Sequence, residues 1–339
     1  MRSEITVDLG ALRRNVENLL RALDGAELWA VVKADAYGHG AVDCAGAALD
    51  AGAAALCVAT VPEALVLRQE LASARIVDLG PTSNREVAQA RDAALELAVA
   101  SGDIPEGVRV HIKLETGMGR WGVSELPLLT REVVGLMTHL ATADSDPDFA
   151  RIQVERFREA TELVSHLTRH VANSAAALRL PESRFDAARC GIAIYGISPF
   201  GEDAAADGLE PVLGWQTEIA QSRLLRRGES TGYPPPNVAE RDTWGGILPV
   251  GYADGFRRDL TGTQVRVAGE LRPVVGTGSM DATAVELDRE LPPGTPVTLV
   301  GHGVTLESHA RVASTIAYEL ACGIESGPTR ARRVVHDQG

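Results

Sequence analysis

Cysteine is scarce and unpaired. Cys44, Cys57, Cys190 and Cys322 are scattered through 339 residues with no CxxC spacing, so neither a disulfide framework nor a zinc site is expected. No apolar run approaches the roughly 20 residues that a membrane-spanning helix needs. The opening stretch MRSEITVDLGALRRNV has no apolar core of the secretory kind, so a cytosolic protein is expected. Basic residues are outnumbered, 33 Lys and Arg against 46 Asp and Glu, for a formal net charge of −13. That balance disfavours nucleic acid or an anionic membrane as partner, while leaving room for a local basic pocket. No Walker loop is present, so a phosphate would have to be held by backbone N–H groups and hydroxyls. Asp144, Asp146, Asp148 and Glu155 fall at calcium-loop positions, but Phe149 stands where that loop needs glycine and Pro147 intrudes. They read as an acidic cap on the following helix, and no metal is expected.

What the chain has in quantity is apolar sequence, 45% of all residues, enough for two sizeable cores. After a short strand near Ile5–Asp8, residues Leu12, Val16, Leu19, Leu20 and Leu23 recur at helical spacing. Apolar runs then appear at 28–33, 55–60, 76–80, 96–100, 108–114, 133–140, 168–172 and 185–189, most of them separated by helical patterns. Eight strands in βα order predict a TIM-type (β/α)8 barrel over residues 1–211, with functional groups at strand C-termini. From 212 to 339 the texture turns to Val-, Thr- and Gly-rich strands joined by tight turns, a mostly β domain. The strand at 4–8 is a candidate to pair with that second domain. One link, 101–107, is short for a barrel, where a crossover normally needs a dozen or more residues. Either the barrel is trimmed there, or the run at 96–100 lies outside it.

Lys33 ends the run Leu28-Trp29-Ala30-Val31-Val32 and is followed by the turn-rich ADAYGHG. An ammonium at the lip of a buried strand is costly to desolvate, so its pKa is expected to fall from roughly 10.4, freeing an amine for nucleophilic or Schiff-base chemistry. The alternative is a lysine snorkelling into water. In VRVHIKLETGMGRWG, Val108, Val110, Ile112 and Leu114 alternate with Arg109, His111, Lys113 and Glu115, which gives the strand one charged face. Lys113 near Arg120 would be like-charge repulsion unless something neutralises it, and an ion pair with Glu115 or another acid in the barrel lumen is one answer. His139 in LMTHLATAD and Arg189 in RCGIAIYG also close apolar strands. His139 alone reads as structural.

VVKADAYGHG closely resembles the cofactor-lysine motif of the alanine racemases, fold type III enzymes that use pyridoxal 5'-phosphate (PLP). Further segments follow in similar order, from TVDLGALRRNV to STIAYE. The resemblance implies PLP on Lys33, with Tyr37, Ser174, the backbone of Gly191 and Ile192, and Tyr318 as phosphate ligands and Asn173 beside them. It implies that Arg189 meets the pyridine nitrogen and that Arg120 points at the PLP phenolic oxygen and the substrate carboxylate. Lys113 matches a lysine often carbamylated in the family, an anion that would hold Arg120. Tyr252, in LPVGYADGF, matches the catalytic tyrosine, contributed by the neighbouring subunit of a homodimer and eased in its deprotonation by His139 and, through it, Arg189. Met280 and Asp281 match a segment whose backbone N–H receives the substrate carboxylate.

The implied reaction is interconversion of L- and D-alanine by two bases, Lys33 and Tyr252, on opposite faces of Cα, supplying D-alanine for peptidoglycan. Three departures bear on the substrate. Thr277, Gly278 and Ser279 stand where the family usually has Arg-x-Cys, Glu115 replaces a usual Asp, and Pro234-Pro235-Pro236 after Tyr233 is unusual. Serine or a larger amino acid is therefore a rival substrate. A non-catalytic PLP-binding protein would lack the domain with Tyr252. A related decarboxylase would carry a catalytic cysteine in the β domain, where only Cys322 occurs, without a supporting motif.

Overall fold

The computed structural model describes residues 2–231 and 237–337, so the Tyr233 to Pro236 stretch lies outside the described residues. The chain divides into two compact units. A barrel unit comprises Gly10–Phe200 with Ala204–Glu210, and a sheet unit comprises the chain start to Leu9, Gly201–Asp203 and Pro211 onward.

The barrel closes with eight parallel strands in sequential order: β2 (Glu27–Val31), β3 (Ala55–Val58), β4 (Ile76–Asp78), β5 (Glu96–Val99), β6 (Arg109–Lys113), β7 (Val133–Met137), β8 (Thr168–His170) and β9 (Ala187–Cys190). Six fall within their apolar runs, while β2 starts one residue before its run and β9 ends one residue after. Strands covered on both faces read as unbroken apolar segments, which is why those runs were legible. The run at 96–100 is a barrel strand, pairing with β4 and β6 in parallel.

Helix Leu9–Leu23 buries Leu12, Val16, Leu19 and Leu23, as its spacing predicts. Helix starts are fixed by local chemistry. Thr60 caps Val61–Glu70 ahead of Pro62, Ser83 and Glu86 form a reciprocal capping box on Asn84–Asp92, and Asp146 accepts the Phe149 N–H at the head of Pro147–Thr161. Such caps satisfy N–H groups that the helix leaves without acceptors.

No helix joins β5 to β6 or β6 to β7. In the second link the chain instead folds back on the end of β6. Val123 N–H donates to the Lys113 carbonyl at 2.8 Å, and Glu115 N–H donates to Val123 at 2.9 Å. This return places Arg120 and Trp121 at the strand's C-terminal end.

Among the described residues, the large sheet of the second unit holds nine strands. They are β1 (Glu4–Asp8), β10 (Leu213–Glu218), β11 (Gln221–Leu225), β14 (Thr243–Leu248), β15 (Gln264–Val267), β16 (Glu270–Val275), β17 (Thr283–Leu287), β18 (Pro296–Val300) and β19 (Arg332–His336). Between β11 and β14 a separate ribbon pairs β12 (Ser230–Thr231) with β13 (Asn237–Val238). The order of the large sheet is β11-β14-β17-β16-β15-β18-β10-β1-β19. Pairing is antiparallel except where β1 lies parallel to β19. Among the described residues no helix is long and apolar enough to cross a membrane, and no cluster of His, Cys, Asp or Glu could hold a metal ion.

Candidate active site

Lys33 is half-buried just beyond the end of β2. The four residues after it, Ala34, Asp35, Ala36 and Tyr37, all have left-handed φ between 51° and 55°. Left-handed backbone brings Cβ against the following carbonyl, at about 1–2 kcal/mol per L-residue, so a turn of four persists only because its surroundings hold it. Glu63 accepts the Ala34 N–H at 2.7 Å, Asp35 accepts the Ala41 N–H at 2.7 Å, and Gly38 N–H returns to the Ala34 carbonyl at 3.0 Å. His39 Nδ1 lies 3.0 Å from the carbonyls of both Ala36 and Tyr37, so that nitrogen carries the proton, and its ring stacks on Tyr195.

The turn delivers the Tyr37 hydroxyl to the end of β9. A Cβ on Gly191 would run into that hydroxyl, so only glycine fits there. Ser174 Oγ accepts the Gly191 N–H at 3.0 Å and approaches the Ala193 N–H at 3.4 Å, which leaves the Ser174 hydroxyl proton to donate elsewhere. Asn173 is committed in part to the backbone, since its Oδ1 accepts the Ala176 N–H as cap of helix Ser174–Arg179. Ile192 is buried in the turn that follows β9.

Arg189, on β9, is buried. Its guanidinium donates to His170 Nδ1 at 2.9 Å and to the Thr138 carbonyl at 2.7 Å. The sequence linked Arg189 to His139; among the described residues the guanidinium makes no hydrogen bond to that ring, and His170 takes the place. The contact continues through the barrel: His170 Nε2 lies 2.9 Å from His111 Nδ1, and His111 Nε2 lies 2.8 Å from Glu96. Arg75 and Arg109 also pair with Glu96, and Arg75 lies over the ring of Trp29, which packs on both imidazoles.

Charge states follow from this packing. Burial pulls the Glu96 carboxyl up, but the hydrogen bonds it accepts from His111 and Arg75, with the Arg75 charge, outweigh it and leave it at about 2. Burial holds both imidazoles below the ordinary histidine range, His170 well below. Burial also lowers Arg189, to about 10, still a cation at neutral pH.

Lys113 is buried at the end of β6. Desolvation, then the Arg120 and Arg189 charges, push its amine down to about 8. The ion pair to Glu115 does not form: that carboxylate accepts the backbone N–H groups of Gly117 and Arg120. Both cations lie over Trp121, whose ring centre is 4.9 Å from Lys113 Nζ and 4.5 Å from the Arg120 guanidinium carbon. Both Lys113 and Trp121 line a cavity of about 470 Å³ with Leu79, Val87, Leu97 and Val99. His139 is pushed down to about 3 by desolvation first and then by Arg189 and Arg120. Its carbonyl is fixed by the buried Gln153, which also bonds Thr116 and the Ala141 N–H.

In the sheet unit, Tyr252 opens a single 3-10 turn, Tyr252–Asp254, and is 42% exposed. Met280 is exposed as well. The two are neighbours, because Tyr252 N–H and Ala253 N–H donate to the carbonyls of Ser279 and Met280 at 3.1 and 3.0 Å. Tyr318 lies in helix Ala317–Gly323, half-buried. Ser279 Oγ donates to the Ala282 carbonyl.

With this geometry in place, comparison with known proteins is decisive. The profile of the alanine racemase N-terminal domain matches residues 7–199, and that of the C-terminal domain matches 212–334. The chain belongs to the alanine racemase family. Alanine racemase 1 of Bacillus subtilis is 39% identical to it, covering 94% of this chain and 90% of that protein. Alanine racemase of Geobacillus stearothermophilus is 38% identical over 94% and 90%. Among solved alanine racemases, that of Streptomyces coelicolor superposes with a TM-score of 0.91 at 35% identity, covering 99% of this chain and 98% of the other.

Sequence reasoning missed His170 and Glu96, and gave His111 no role beyond a charged strand face. The available signal was polar residues inside barrel strands covered on both faces, at Glu96, His111 and His170.

Proposed function

We propose that this chain interconverts L- and D-alanine with PLP held on Lys33. The donor set suits that group. Half-buried Lys33 precedes by four residues a tyrosine of the cradle, in which Gly191 admits nothing larger, the Tyr37 hydroxyl reaches that glycine, and the Ser174 hydroxyl has a proton to offer a phosphate. Tyr318 and the backbone of Ile192 would complete the phosphate contacts. Bound PLP supplies an electron-withdrawing ring that acidifies Cα of an attached amino acid.

The chain's own residues do the rest. Arg189 would meet the ring nitrogen and, because a guanidinium keeps its proton, leave that nitrogen unprotonated. This weakens electron withdrawal and favours return of the proton to Cα over transamination. Arg120, stacked on Trp121, would bind the substrate carboxylate with the Met280 N–H. Lys33 Nζ takes or returns the proton on one face of Cα and the Tyr252 hydroxyl on the other, since inversion needs bases on both sides. Tyr252 comes from the neighbouring subunit of a cytoplasmic homodimer, and the D-alanine feeds peptidoglycan.

The observation that carries this reading is Lys33 just past the end of β2, directly before the strained turn that delivers Tyr37 to the Gly191–Ser174 cradle. Purified protein with PLP, incubated in deuterated water with L-alanine, L-serine or L-lysine, is expected to invert alanine with deuterium at Cα. Absence of inversion, or release of carbon dioxide, would overturn it. Faster turnover of serine would assign the altered Thr277-Gly278-Ser279 segment to substrate choice.

A further inference from the structure

Two arginines from opposite ends of the chain meet at the turn that carries Tyr252. Arg2 Nη2 lies 3.2 Å from Asp254 Oδ2 and 3.3 Å from Asp281 Oδ1. Arg330 Nη1 lies 2.6 Å from Asp281 Oδ1 and 3.6 Å from Asp254 Oδ1. Two carboxylates and two guanidiniums thus form a closed, neutral array. Asp254 is its inner corner, with a side chain only 1% exposed, and it also accepts the Gly251 N–H at 2.9 Å.

The array lies where two site segments join. Residues 251–253 are tied to 279–280 by the two backbone hydrogen bonds already described, and Asp254 and Asp281 follow directly in each segment. Gly251 is packed so closely on the Ser279 and Met280 carbonyls that no Cβ fits. Among the described residues the Met280 N–H donates to no protein acceptor, which leaves it available for a ligand.

Partly exposed ion pairs contribute little to stability, and Arg2, Arg330 and Asp281 are 38%, 29% and 56% exposed in their side chains. What four groups in mutual contact do fix is geometry. We infer that Arg2 and Arg330 are positioning residues for Tyr252, holding its hydroxyl at a set distance from the Met280 N–H. The inference rests on the two-base reading above, in which those two groups hold the substrate's Cα proton and carboxylate.

The test uses the PLP-loaded enzyme and the variants Arg2→Gln, Arg330→Gln and Arg330→Lys. Tyr252→Phe serves as comparator and Arg332→Gln as control, since Arg332 pairs with Glu4 outside the array. Three readouts are taken: racemisation kcat and KM, exchange of the D-alanine Cα–H for deuterium without inversion, and the 19F NMR line of Tyr252 in 3-fluorotyrosine protein, assigned by Tyr252→Phe. Displacement of a catalytic group by about 1 Å is worth up to roughly a hundredfold. Arg330→Gln and Arg2→Gln are therefore expected to lose about tenfold or more in kcat, with the Tyr252 line shifted or broadened. With Tyr252 taken as the base for the L enantiomer and Lys33 for the D, exchange into D-alanine should stay unchanged, and Arg330→Lys should recover most of the loss.

Wild-type kcat with an unmoved Tyr252 line in both glutamine variants would overturn the inference. So would equal losses of racemisation and exchange that track a lowered melting temperature, since that is a folding defect. If Tyr252→Phe itself racemises normally, the two-base reading falls, and this inference with it.

Discussion

His170 and His111 face each other across the barrel interior, Nε2 to Nδ1 at 2.9 Å, both fully buried. Their partners dictate the direction of every proton. His111 Nε2 faces a carboxylate and must carry a hydrogen, so its Nδ1 accepts from His170 Nε2–H, and His170 Nδ1 accepts from Arg189. The result is a one-way row of donors from Arg189 to the Glu96 anion, with both imidazoles neutral. In 15N-histidine-labelled protein both rings are expected as Nε2–H tautomers, unchanged between about pH 5 and 8. A protonated ring, or an Nδ1–H form in either, would contradict the arrangement.

Glu96 anchors that row, and its charge has a pH signature. Its carboxyl sits at about 2 against an ordinary 4.5, so its stabilisation is complete above the ordinary value and fades as pH falls toward 2. The shift corresponds to about 3 kcal/mol at neutral pH. Urea unfolding of Glu96→Gln should show a deficit of that order at pH 7 that shrinks through this acid window. A deficit constant with pH would mean that the charge is not its source.

Gly135, on β7, makes room for the same row. A Cβ there would strike the His111 ring, which is wedged between Glu96, His170 and Trp29 and has nowhere to move. Gly135→Ala is expected to destabilise by about 1–3 kcal/mol, as overpacking does, and to disturb the His111 and His170 15N signals together. An alanine variant with wild-type melting temperature and spectra would show the barrel to be more compliant than this packing implies.

Lys113, lowered to about 8 from 10.5, has free amine near neutral pH, and free amine is the form that adds carbon dioxide. With 13C-bicarbonate, a carbamate resonance is expected in wild type and absent from Lys113→Arg. It should weaken as pH falls below about 8 and the amine protonates. No resonance at pH 8 to 9 would leave Trp121 alone as the group that keeps Lys113 and Arg120 together.

Lys33→Ala should abolish the visible absorbance that lysine-bound PLP gives. Tyr252→Phe should keep it while losing most turnover from the L enantiomer. Full activity in Tyr252→Phe would remove the tyrosine as a base.

The barrel was legible because strands covered on both faces leave unbroken apolar runs, and Lys33 because its charge ends one of them. The short link at 101–107 was legible as a place where a helix could not fit, and none is there; the link at 123–133, short compared with the family, also has none. Two features stayed hidden for physical reasons. The row from Glu96 to Arg189 depends on the register of parallel strands brought together from distant sequence, which no local pattern encodes. The left-handed turn after Lys33 is built from Ala, Asp, Ala and Tyr, none of which favours that backbone intrinsically; the holding groups Glu63 and Ala41 come from later in the chain.

The parallel pairing of β1 with β19 has a consequence for how the molecule is made. Residues 4–8 are synthesised long before 332–336, yet the two lie side by side in one sheet. All eight barrel strands have been synthesised by Cys190, so that unit can close during translation, as N-terminal units generally do. The large sheet must wait longer, with β1 bare along one edge until residues 332–336 emerge to cover it.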